Sequence, residues 1–342
     1  MIFFLQITNQ RTHSIRMNPK IKLIFFGTPE IAVKCLEALK SDSSFEILAV
    51  ITQEDKPVGR KKVMTPPDVK VYAESVGIPV YQPTNISDDV SLYEQLALLP
   101  PDYNVVVAYG QIMSQKWLDL PCLRSVNLHV SLLPKYRGAS PMQETLKHGD
   151  TTTGVSIQEM AFLIDTGGIL SQEEFEIEPN DTFLEIYEKA GSIGARLLVE
   201  TLKSDFDATS DQGRLTGTIQ DNSKASYCTK ITKEDGFVDF ATLTATEIYN
   251  KYRAYKLWPG IWTMMGGKRM KLTEVMTLPD ADFENLANSG QMAGLDDDST
   301  LKSMSKTKDR LFARCEEGIL EILRCQVEGG TEISAEEFLR GN

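Results

Sequence analysis

"KLIFFGTPEIAVKCLEALK", residues 22–40, is the stretch that predicts the architecture of this chain. Its first five residues read as a mostly apolar strand, and Gly27 reads as a turn. Thr28 is expected to cap a helix that begins at Pro29, after which apolar residues recur at helical spacing. A strand followed directly by a helix is the unit from which α/β folds are built.

Four more apolar runs continue this pattern, with helix-like segments between several of them. They are "FEILAVIT", "IPVYQP", "YNVVVAYG" and "SVNLHVSLL", and together they predict an α/β fold with a Rossmann-like, mostly parallel sheet. Sheets of this kind bind ligands beyond the carboxyl ends of their strands. The "GTPE" turn lacks the second and third glycines of a dinucleotide-binding loop, so NAD is not expected there.

The chain changes character after the first domain, which we place at residues 21–203. Residues 204–226 are polar and poor in large apolar side chains, which predicts a linker. Short strands separated by turns follow, so residues 227–342 are expected to form a smaller, β-barrel-like domain of the OB type. Within it, residues 280–308 read as an irregular insertion with a solvated acidic loop.

Composition excludes several classes of protein. The 342 residues carry a formal net charge of -12, so any RNA would be held by a local basic patch and not by the charge of the whole protein. The five cysteines form no CxxC pair, which indicates free thiols in a reducing cytosol and no metal site. No apolar run approaches the roughly 20 residues that span a bilayer, and we expect no contact with a membrane.

Residues 1–20 read as an N-terminal extension. They contain basic residues and no acidic one, which is weakly typical of a transit segment, but a clear amphipathic pattern is missing. We therefore expect a bacterial cytoplasmic protein more than an organellar one. Whether translation starts at Met1 or at Met17 stays open.

Polar residues interrupt two apolar stretches. In "SVNLHVSLLPKYRG", residues 125–138, strand alternation places Asn127 and His129 on the same face. In "MAFLIDTGGIL", residues 160–170, Asp165 precedes two glycines. These residues could be a hydrogen-bonded core pair and a turn cap. They could equally perform acyl transfer to an amine, because a carboxamide can stabilise an oxyanion, an imidazole can move protons, and a carboxylate can orient the imidazole.

The chain resembles the methionyl-tRNA formyltransferase family from Met17 to its end. The matching stretches are "FFGTPEIA", "KPVGRKK", "VVVAYGQI", "NLHVSLLPKYRGASP", "GDTTTGVSI" and "LIDTGGIL", with weaker matches at "YCTKI" and "RAYKLWPGIW". The resemblance implies that the formyl group of 10-formyltetrahydrofolate is transferred to the α-amine of methionine on initiator tRNA. It also implies a catalytic role for Asn127, His129 and Asp165.

The resemblance further implies which residues hold the two substrates. The folate pocket would be formed by the end of one strand and by the loop that follows the Asn-x-His strand, at Tyr109, Gly110, Gln111, Ser131, Leu132, Leu133 and Pro134. The tRNA would be held by two basic stretches and the same loop, at Lys56, Arg60, Lys61, Lys62, Arg137, Lys268, Arg269 and Lys271. No metal, no DNA and no membrane partner is implied, and a monomer is expected.

Three departures from the family pattern qualify this prediction. The loop "VGRKK" is one residue shorter than usual, Ala161 replaces a frequent Asp, and "AYKLWPG" lacks the usual Asn-Pro. Three rivals remain: a formyltransferase that acts on an amino sugar nucleotide, a purine-pathway formyltransferase, and an RNA-binding protein without catalysis. The basic loop and the second domain favour tRNA over the amino sugar, and purine-pathway chains usually stop near the end of the first domain.

Overall fold

A computed structural model describes residues 20–59, 61–211, 214–288, 293–294 and 304–341. Strands and helices alternate through the first part of the chain, as the sequence predicts. Their bounds are β1 (Ile21–Gly27), α1 (Glu30–Ser41), β2 (Phe45–Ile51), β3 (Lys56–Val58), β4 (Val63–Thr65), α2 (Asp68–Ser75), β5 (Val80–Tyr81), α3 (Val90–Ala97), β6 (Tyr103–Val107), α4 (Gln115–Leu118), β7 (Arg124–His129), β8 (Arg137–Gly138), α5 (Pro141–Lys147), β9 (Thr152–Glu159), β10 (Ile169–Glu176) and α6 (Phe183–Asp211).

Seven of these strands form one sheet in the order β10-β9-β7-β6-β1-β2-β5. The five strands from β5 to β7 run parallel, and β9 and β10 add an antiparallel edge. The mostly parallel α/β fold is therefore confirmed. The chain moves outward from β1 to β2 and later returns to β6 on the other side of β1, so the strand order reverses between β1 and β6. A reversal of this kind leaves a crevice at the carboxyl ends of the two strands.

The turn after β1 differs in detail from the sequence prediction. The helix begins at Glu30, and Pro29 is its N-cap without a side-chain hydrogen bond. The predicted cap by Thr28 is wrong, because the Thr28 hydroxyl donates instead to the carbonyl oxygen of Tyr109, 2.9 Å away. Thr28 thus ties the end of β1 to the segment that follows β6.

Helix α6 corrects the predicted linker boundary, because it continues to Asp211 and covers residues 204–211. One of those residues, Asp205, is almost fully buried and accepts a hydrogen bond from Arg124 Nη2 at 3.1 Å. The same carboxylate accepts hydrogen bonds from the Tyr103 hydroxyl and the Leu215 amide. A stretch that reads as polar in sequence is therefore helical, because its acidic residue pairs with a buried cation.

The second part of the chain forms an antiparallel sheet in the order β12-β13-β17-β16-β15-β14, with β18 paired to β17. Its elements are β11 (Tyr227–Cys228), α7 (Ala245–Ala254), β12 (Ile261–Met265), β13 (Lys268–Leu278), α8 (Asp280–Asn288), β14 (Ala293–Gly294), β15 (Met304–Lys306), β16 (Leu311–Arg314), β17 (Ile319–Val327), β18 (Ile333–Ser334) and α9 (Ala335–Gly341). β11 lies apart from this sheet and pairs with β8.

The predicted irregular insertion at residues 280–308 is partly regular. It contains α8, whose Phe283 packs edge-on against Phe312 of β16, and it contains β15. The acidic residues 296–298 lie outside the described residues. Within the described ranges, no helix has the length and apolar character that a membrane crossing requires.

We predict that Asp205→Ala destabilises the protein by roughly 3–5 kcal/mol, because it removes the buried carboxylate partner of Arg124 and leaves this cation only the half-exposed carboxylate of Glu159, 3.3 Å from Nη1. Urea unfolding of the two proteins would measure the difference. Glu200→Ala is the matched control, since it breaks an exposed ion pair with Arg196 on the same helix and should leave the unfolding midpoint unchanged. Equal midpoints for Asp205→Ala and wild type would show that this contact does not hold α6 to the sheet.

Candidate active site

A cavity of about 640 Å³ opens at the carboxyl ends of β1, β6 and β7. Its lining comes from Pro29 and Ile31 after β1, from residues 106–113 around the end of β6, and from residues 127–130 at the end of β7. The turn that carries Asp165 closes another side. The three candidate catalytic residues, Asn127, His129 and Asp165, therefore meet in one cavity at the predicted crevice.

The hydrogen bonds of His129 define the protonation of its imidazole. The ring is buried, and Nε2 lies 3.0 Å from the carbonyl oxygen of Tyr136. Because a carbonyl oxygen only accepts, Nε2 carries a hydrogen. Tyr136 holds its carbonyl in this position with a left-handed backbone, at φ 57°. The neutral ring then has its unprotonated nitrogen at Nδ1.

Asp165 faces that nitrogen, with Oδ2 3.6 Å from His129 Nδ1. Its backbone is also left-handed, at φ 55°, a conformation that Asp tolerates better than most residues. The amide of Gly138 donates to Oδ2 at 2.9 Å, and the amide group of Gln158 donates to Oδ1 at 2.7 Å. Each carboxylate oxygen is thus held by a donor, and the carboxylate is fixed beside the imidazole.

The Asn127 side chain is half-buried and lines the same cavity. Unlike His129 and Asp165, its carboxamide makes no side-chain hydrogen bond to any residue in the described part of the chain. A carboxamide at a cavity wall without a protein partner is available to a ligand. The expectation that Asn127 and His129 share a strand face is met, since both lie on β7 and line one cavity.

The residues predicted to hold folate divide into two groups. Tyr109, Gly110 and Gln111 line the cavity, and the Tyr109 carbonyl oxygen accepts hydrogen bonds from Thr28 and Gln53. The second group does not line it, and instead shapes the loop after β7 through hydrogen bonds such as Ser131 Oγ to Lys135 O, 2.6 Å, and Leu133 N to Ser156 Oγ, 3.1 Å. The residues of this second group are Ser131, Leu132, Leu133 and Pro134.

The predicted tRNA contacts are mostly exposed cations. Those on the β3–β4 hairpin and those on β13 all face solvent, namely Lys56, Lys61, Lys62, Lys268, Arg269 and Lys271. The Arg269 guanidinium stacks 3.9 Å above the ring centre of Trp262. Arg60 lies outside the described residues.

Arg137 is a correction to the predicted tRNA contacts. Only 2% of the residue is exposed, and its guanidinium donates to Gln220 Oε1, at 3.0 Å from Nε and 2.7 Å from Nη2, and to Asn222 Oδ1 at 3.0 Å. A guanidinium enclosed in this way does not reach an RNA phosphate. Lys135, two residues earlier in the loop, is exposed. The sequence of the loop therefore did not distinguish the exposed cation from the buried one.

Sequence reasoning missed the residues that orient the catalytic candidates. Gln158 is 2% exposed and holds Asp165, and a signal was present, since it is a polar residue in the apolar strand "GVSIQEM". The Tyr136 carbonyl and the Gly138 amide are main-chain groups and leave no signal in the side-chain pattern. Burial raises the pKa of the Tyr136 phenol above its ordinary value, and the hydrogen bond to Asp150 raises it further.

The described lining of the cavity contains no thiol, alkyl hydroxyl or amine that could act as a nucleophile. Among the described residues that line the cavity there is no Ser, Thr, Cys or Lys. Cys228 lies behind the Gly138 loop, and burial raises the pKa of its thiol to about 11, so it stays protonated near neutral pH. The cavity offers groups that donate and move protons, and no Ser, Thr, Cys or Lys that would form a covalent acyl-enzyme.

Comparison with known protein families assigns both domains of the chain to the formyl transferases. The family described as formyl transferase matches residues 20–202, and the formyl transferase C-terminal domain matches residues 230–342. The chain is 38% identical over 319 residues to the methionyl-tRNA formyltransferase of Caldicellulosiruptor saccharolyticus, covering 93% of this chain and 96% of that one. It is 40% identical over 326 residues to that of Acidobacterium capsulatum, covering 94% and 97%. The chain belongs to the methionyl-tRNA formyltransferase family.

A solved structure supports the fold. The N-formyltransferase from Helicobacter canadensis, in complex with folinic acid and dTDP-3-aminofucose, aligns with a TM-score of 0.58 at 19% identity. The alignment covers 88% of this chain and 98% of that one.

We predict that Gly138→Ala destabilises the protein more than Gly77→Ala. Both glycines have positive φ, at 123° and 73°, but a Cβ on Gly138 would lie 2.0 Å from the Cys228 carbonyl oxygen, whereas Gly77 has open space. Backbone strain alone costs about 1–2 kcal/mol at each position, and the collision adds to it at Gly138 because β8 must separate from β11. Thermal unfolding of both variants measures this difference, and equal shifts in Tm would contradict the tight β8–β11 contact.

Proposed function

We propose that the protein transfers the formyl group of 10-formyltetrahydrofolate to the α-amine of methionine on initiator methionyl-tRNA, for translation initiation. The observation that carries the proposal is the meeting of Asn127, His129 and Asp165 in one cavity whose described lining has no Ser, Thr, Cys or Lys. Without such a side chain, the acceptor amine itself attacks the formyl carbon. Family membership at full length supports methionyl-tRNA as the acceptor.

Asn127 is assigned to the oxyanion. When the amine adds to the formyl carbon, negative charge develops on the formyl oxygen. The carboxamide N–H groups of Asn127 are not used by any described residue, so they donate to that oxygen without first breaking a protein hydrogen bond. A hydrogen-bond donor aimed at a developing oxyanion typically lowers the barrier by several kcal/mol, about 10²–10³ in kcat.

His129 is assigned to proton transfer through Nδ1. Because Nε2–H is occupied by the Tyr136 carbonyl, Nδ1 accepts the proton that the attacking amine loses. The same Nδ1–H then donates the proton to the departing nitrogen of the folate. One proton enters and leaves by one nitrogen, so the products are the formylated amine and tetrahydrofolate, and the ring returns to its starting form.

Asp165 is assigned to the imidazolium that exists between these two transfers. Its carboxylate lies 3.6 Å from Nδ1, and both side chains are largely buried, so it opposes the positive charge of the protonated ring with little screening by solvent. The two donors that hold the carboxylate oxygens, Gly138 N and Gln158 Nε2, keep it in this position before the ring is protonated. The electrostatic stabilisation is therefore built into the resting protein.

The cavity suits a folate in size and character. Its volume of about 640 Å³ lies within the roughly 300–1,000 Å³ of small-molecule sites. The main chain around the end of β6 supplies polar groups, and the rim is apolar, with Ile112, Phe162 and Ile164 each more than 60% exposed. These side chains offer a face for an aromatic ring, while Tyr109 to Gln111 would contact the pterin.

The tRNA is assigned to the exposed cations on the β3–β4 hairpin and on β13. Phosphate contacts by Lys and Arg supply a large share of the affinity of proteins for nucleic acids. Lys61 and Lys62 lie at the hairpin turn, and Arg269 carries its charge above an aromatic ring. The protein has a net negative charge, so these local cations are where the phosphate backbone would bind.

The first experiment is formylation of methionyl-tRNA by the purified protein with 10-formyltetrahydrofolate. We predict that His129→Ala lowers kcat by roughly 10²–10⁴ and that Asn127→Ala lowers it by about 10²–10³. His148→Ala is the matched control, because His148 is an exposed histidine and should change kcat by less than about twofold.

An amino sugar nucleotide and uncharged tRNA are assayed in parallel. Formylation of the amino sugar nucleotide alone would support the roles assigned to the catalytic residues and would overturn methionyl-tRNA as the acceptor. Formylation of methionyl-tRNA that survives His129→Ala would overturn the catalytic assignment. Binding of tRNA without turnover on any acceptor would favour an RNA-binding protein.

We predict that Lys61→Glu or Lys62→Glu raises the KM for methionyl-tRNA and leaves kcat nearly unchanged, because the hairpin lies outside the catalytic cavity. The slope of log affinity against log salt should fall by about 0.7–0.9 for each RNA phosphate that the variant no longer neutralises. Lys40→Glu on α1 changes the net charge equally and is the matched control. A control with the same salt slope as the hairpin variants would show that only net charge matters.

A further inference from the structure

The segment that joins the two parts of the chain packs against the loops that carry the candidate catalytic residues, outside the cavity lining. We name residues 215–228 the linker strap. Thr218 and Ile169 exchange two main-chain hydrogen bonds of 2.8 and 2.9 Å, which attaches the strap beside the Asp165 turn. Ser226 Oγ accepts the amide of Tyr136 at 2.9 Å, and β11 pairs in parallel with β8. The strap thus touches both loops that hold His129 and Asp165.

Gln220 is the strap residue that connects these two loops to each other. It is 6% exposed, and its Nε2 donates to the carbonyl oxygens of Asp165, 2.9 Å, and Gly167, 2.7 Å. Its Oε1 accepts the two bonds from the Arg137 guanidinium already described. Every polar atom of this one amide group is therefore used.

The partners of Gln220 are the residues that orient the catalytic groups. Arg137 lies between Tyr136, whose carbonyl oxygen holds His129, and Gly138, whose amide holds Asp165. The second partner of Gln220 is the carbonyl oxygen of Asp165, the residue whose backbone is left-handed. A left-handed non-glycine residue costs of order 1–3 kcal/mol and persists only when its surroundings fix it. Gln220 fixes this turn from the side opposite the cavity.

We propose that Gln220 is a positioning residue, which holds the carboxylate of Asp165 against His129 from the linker strap. The proposal rests on the proposed function, since it assigns a role in the same formyl transfer. Within the strap, the role is assigned to Gln220 alone. Gln220 does not line the cavity and acts through Asp165 and Arg137.

Two substitutions of Gln220 distinguish positioning of Asp165 from simple attachment of the strap to Arg137. Gln220→Met removes both the donors and the acceptor at similar volume. Gln220→Glu keeps oxygen acceptors for Arg137 and removes the N–H donors to Asp165 and Gly167, and it guards against failure of the first variant to fold. Asn222→Ala is the matched control, because it removes another Arg137 acceptor on the strap without touching the Asp165 turn.

The expected result is a loss of kcat of roughly 10- to 100-fold in both Gln220 variants, because small misplacements of catalytic groups have effects of this size. The KM for methionyl-tRNA and for 10-formyltetrahydrofolate should change by less than about twofold, as should kcat in Asn222→Ala. Loss of kcat by Gln220→Met with wild-type kcat in Gln220→Glu would overturn the proposal, because attachment to Arg137 would then suffice.

A double-mutant cycle shows whether Gln220 acts through Asp165. Asp165→Asn removes the charge that faces His129, while Asn also tolerates the left-handed backbone. In that background Gln220→Met should cause little further loss of kcat, because the group that it positions has already been neutralised. Losses that multiply independently would overturn the proposal and indicate a purely structural role.

Hydrogen exchange of the protein without substrates provides a readout that needs no turnover. Gln220→Met should increase the exchange of amides in residues 159–169, and Asn222→Ala should not. A wild-type protein that formylates no methionyl-tRNA would overturn the proposed function. Hydrogen exchange would still decide whether Gln220 holds the turn that carries Asp165. Unchanged exchange in Gln220→Met would overturn the positioning role even if wild-type turnover is observed.

Discussion

The geometry of the candidate active site depends on the position of one carboxylate. Asp165 has a left-handed backbone and faces His129 Nδ1 across 3.6 Å, in a place where neither group is much exposed. The two hydrogen bonds that its oxygens accept from Gly138 and Gln158 compensate for lost water. Without those donors, a partly buried anion would favour rotation toward solvent, and the imidazole would face no opposing charge when it is protonated.

The sheet explains why these groups can meet. β7 is the last parallel strand, and β9 beside it is antiparallel, with Gln158 opposite Asn127. The connection that follows β9 folds back toward β7, so that Asp165 accepts a hydrogen bond from Gln158 and faces His129. The reversal of strand order between β1 and β6 leaves the cavity in front of these residues. The hydrogen bond from Thr28 to the Tyr109 carbonyl oxygen joins the segments that follow β1 and β6.

Side-chain patterns predicted the sheet and the catalytic candidates because both depend on local alternation. The strands from β1 to β7 that form the sheet are apolar runs, and Asn127, His129 and Asp165 stand out as polar interruptions of such runs. The errors arose where a distant segment changes the environment of a residue. Arg137 reads as a surface cation until Gln220 and Asn222 enclose it. Residues 204–211 read as linker, although Asp205 pairs with Arg124 from a strand 81 residues away. No local pattern contains those partners.

The same reasoning applies to the linker strap, whose sequence is polar and has few large apolar residues. Its polar groups form hydrogen bonds with the first domain: Gln220, Ser226 and the main chain of Thr218 all bind loops there. Gln220 and Asn222 both enclose the Arg137 guanidinium and supply its acceptors, so burial of this cation and docking of the strap occur together. The docked strap is in turn hydrogen-bonded to the turn that carries Asp165. The segment that leads into the second domain is thus hydrogen-bonded to both loops that carry the candidate catalytic residues.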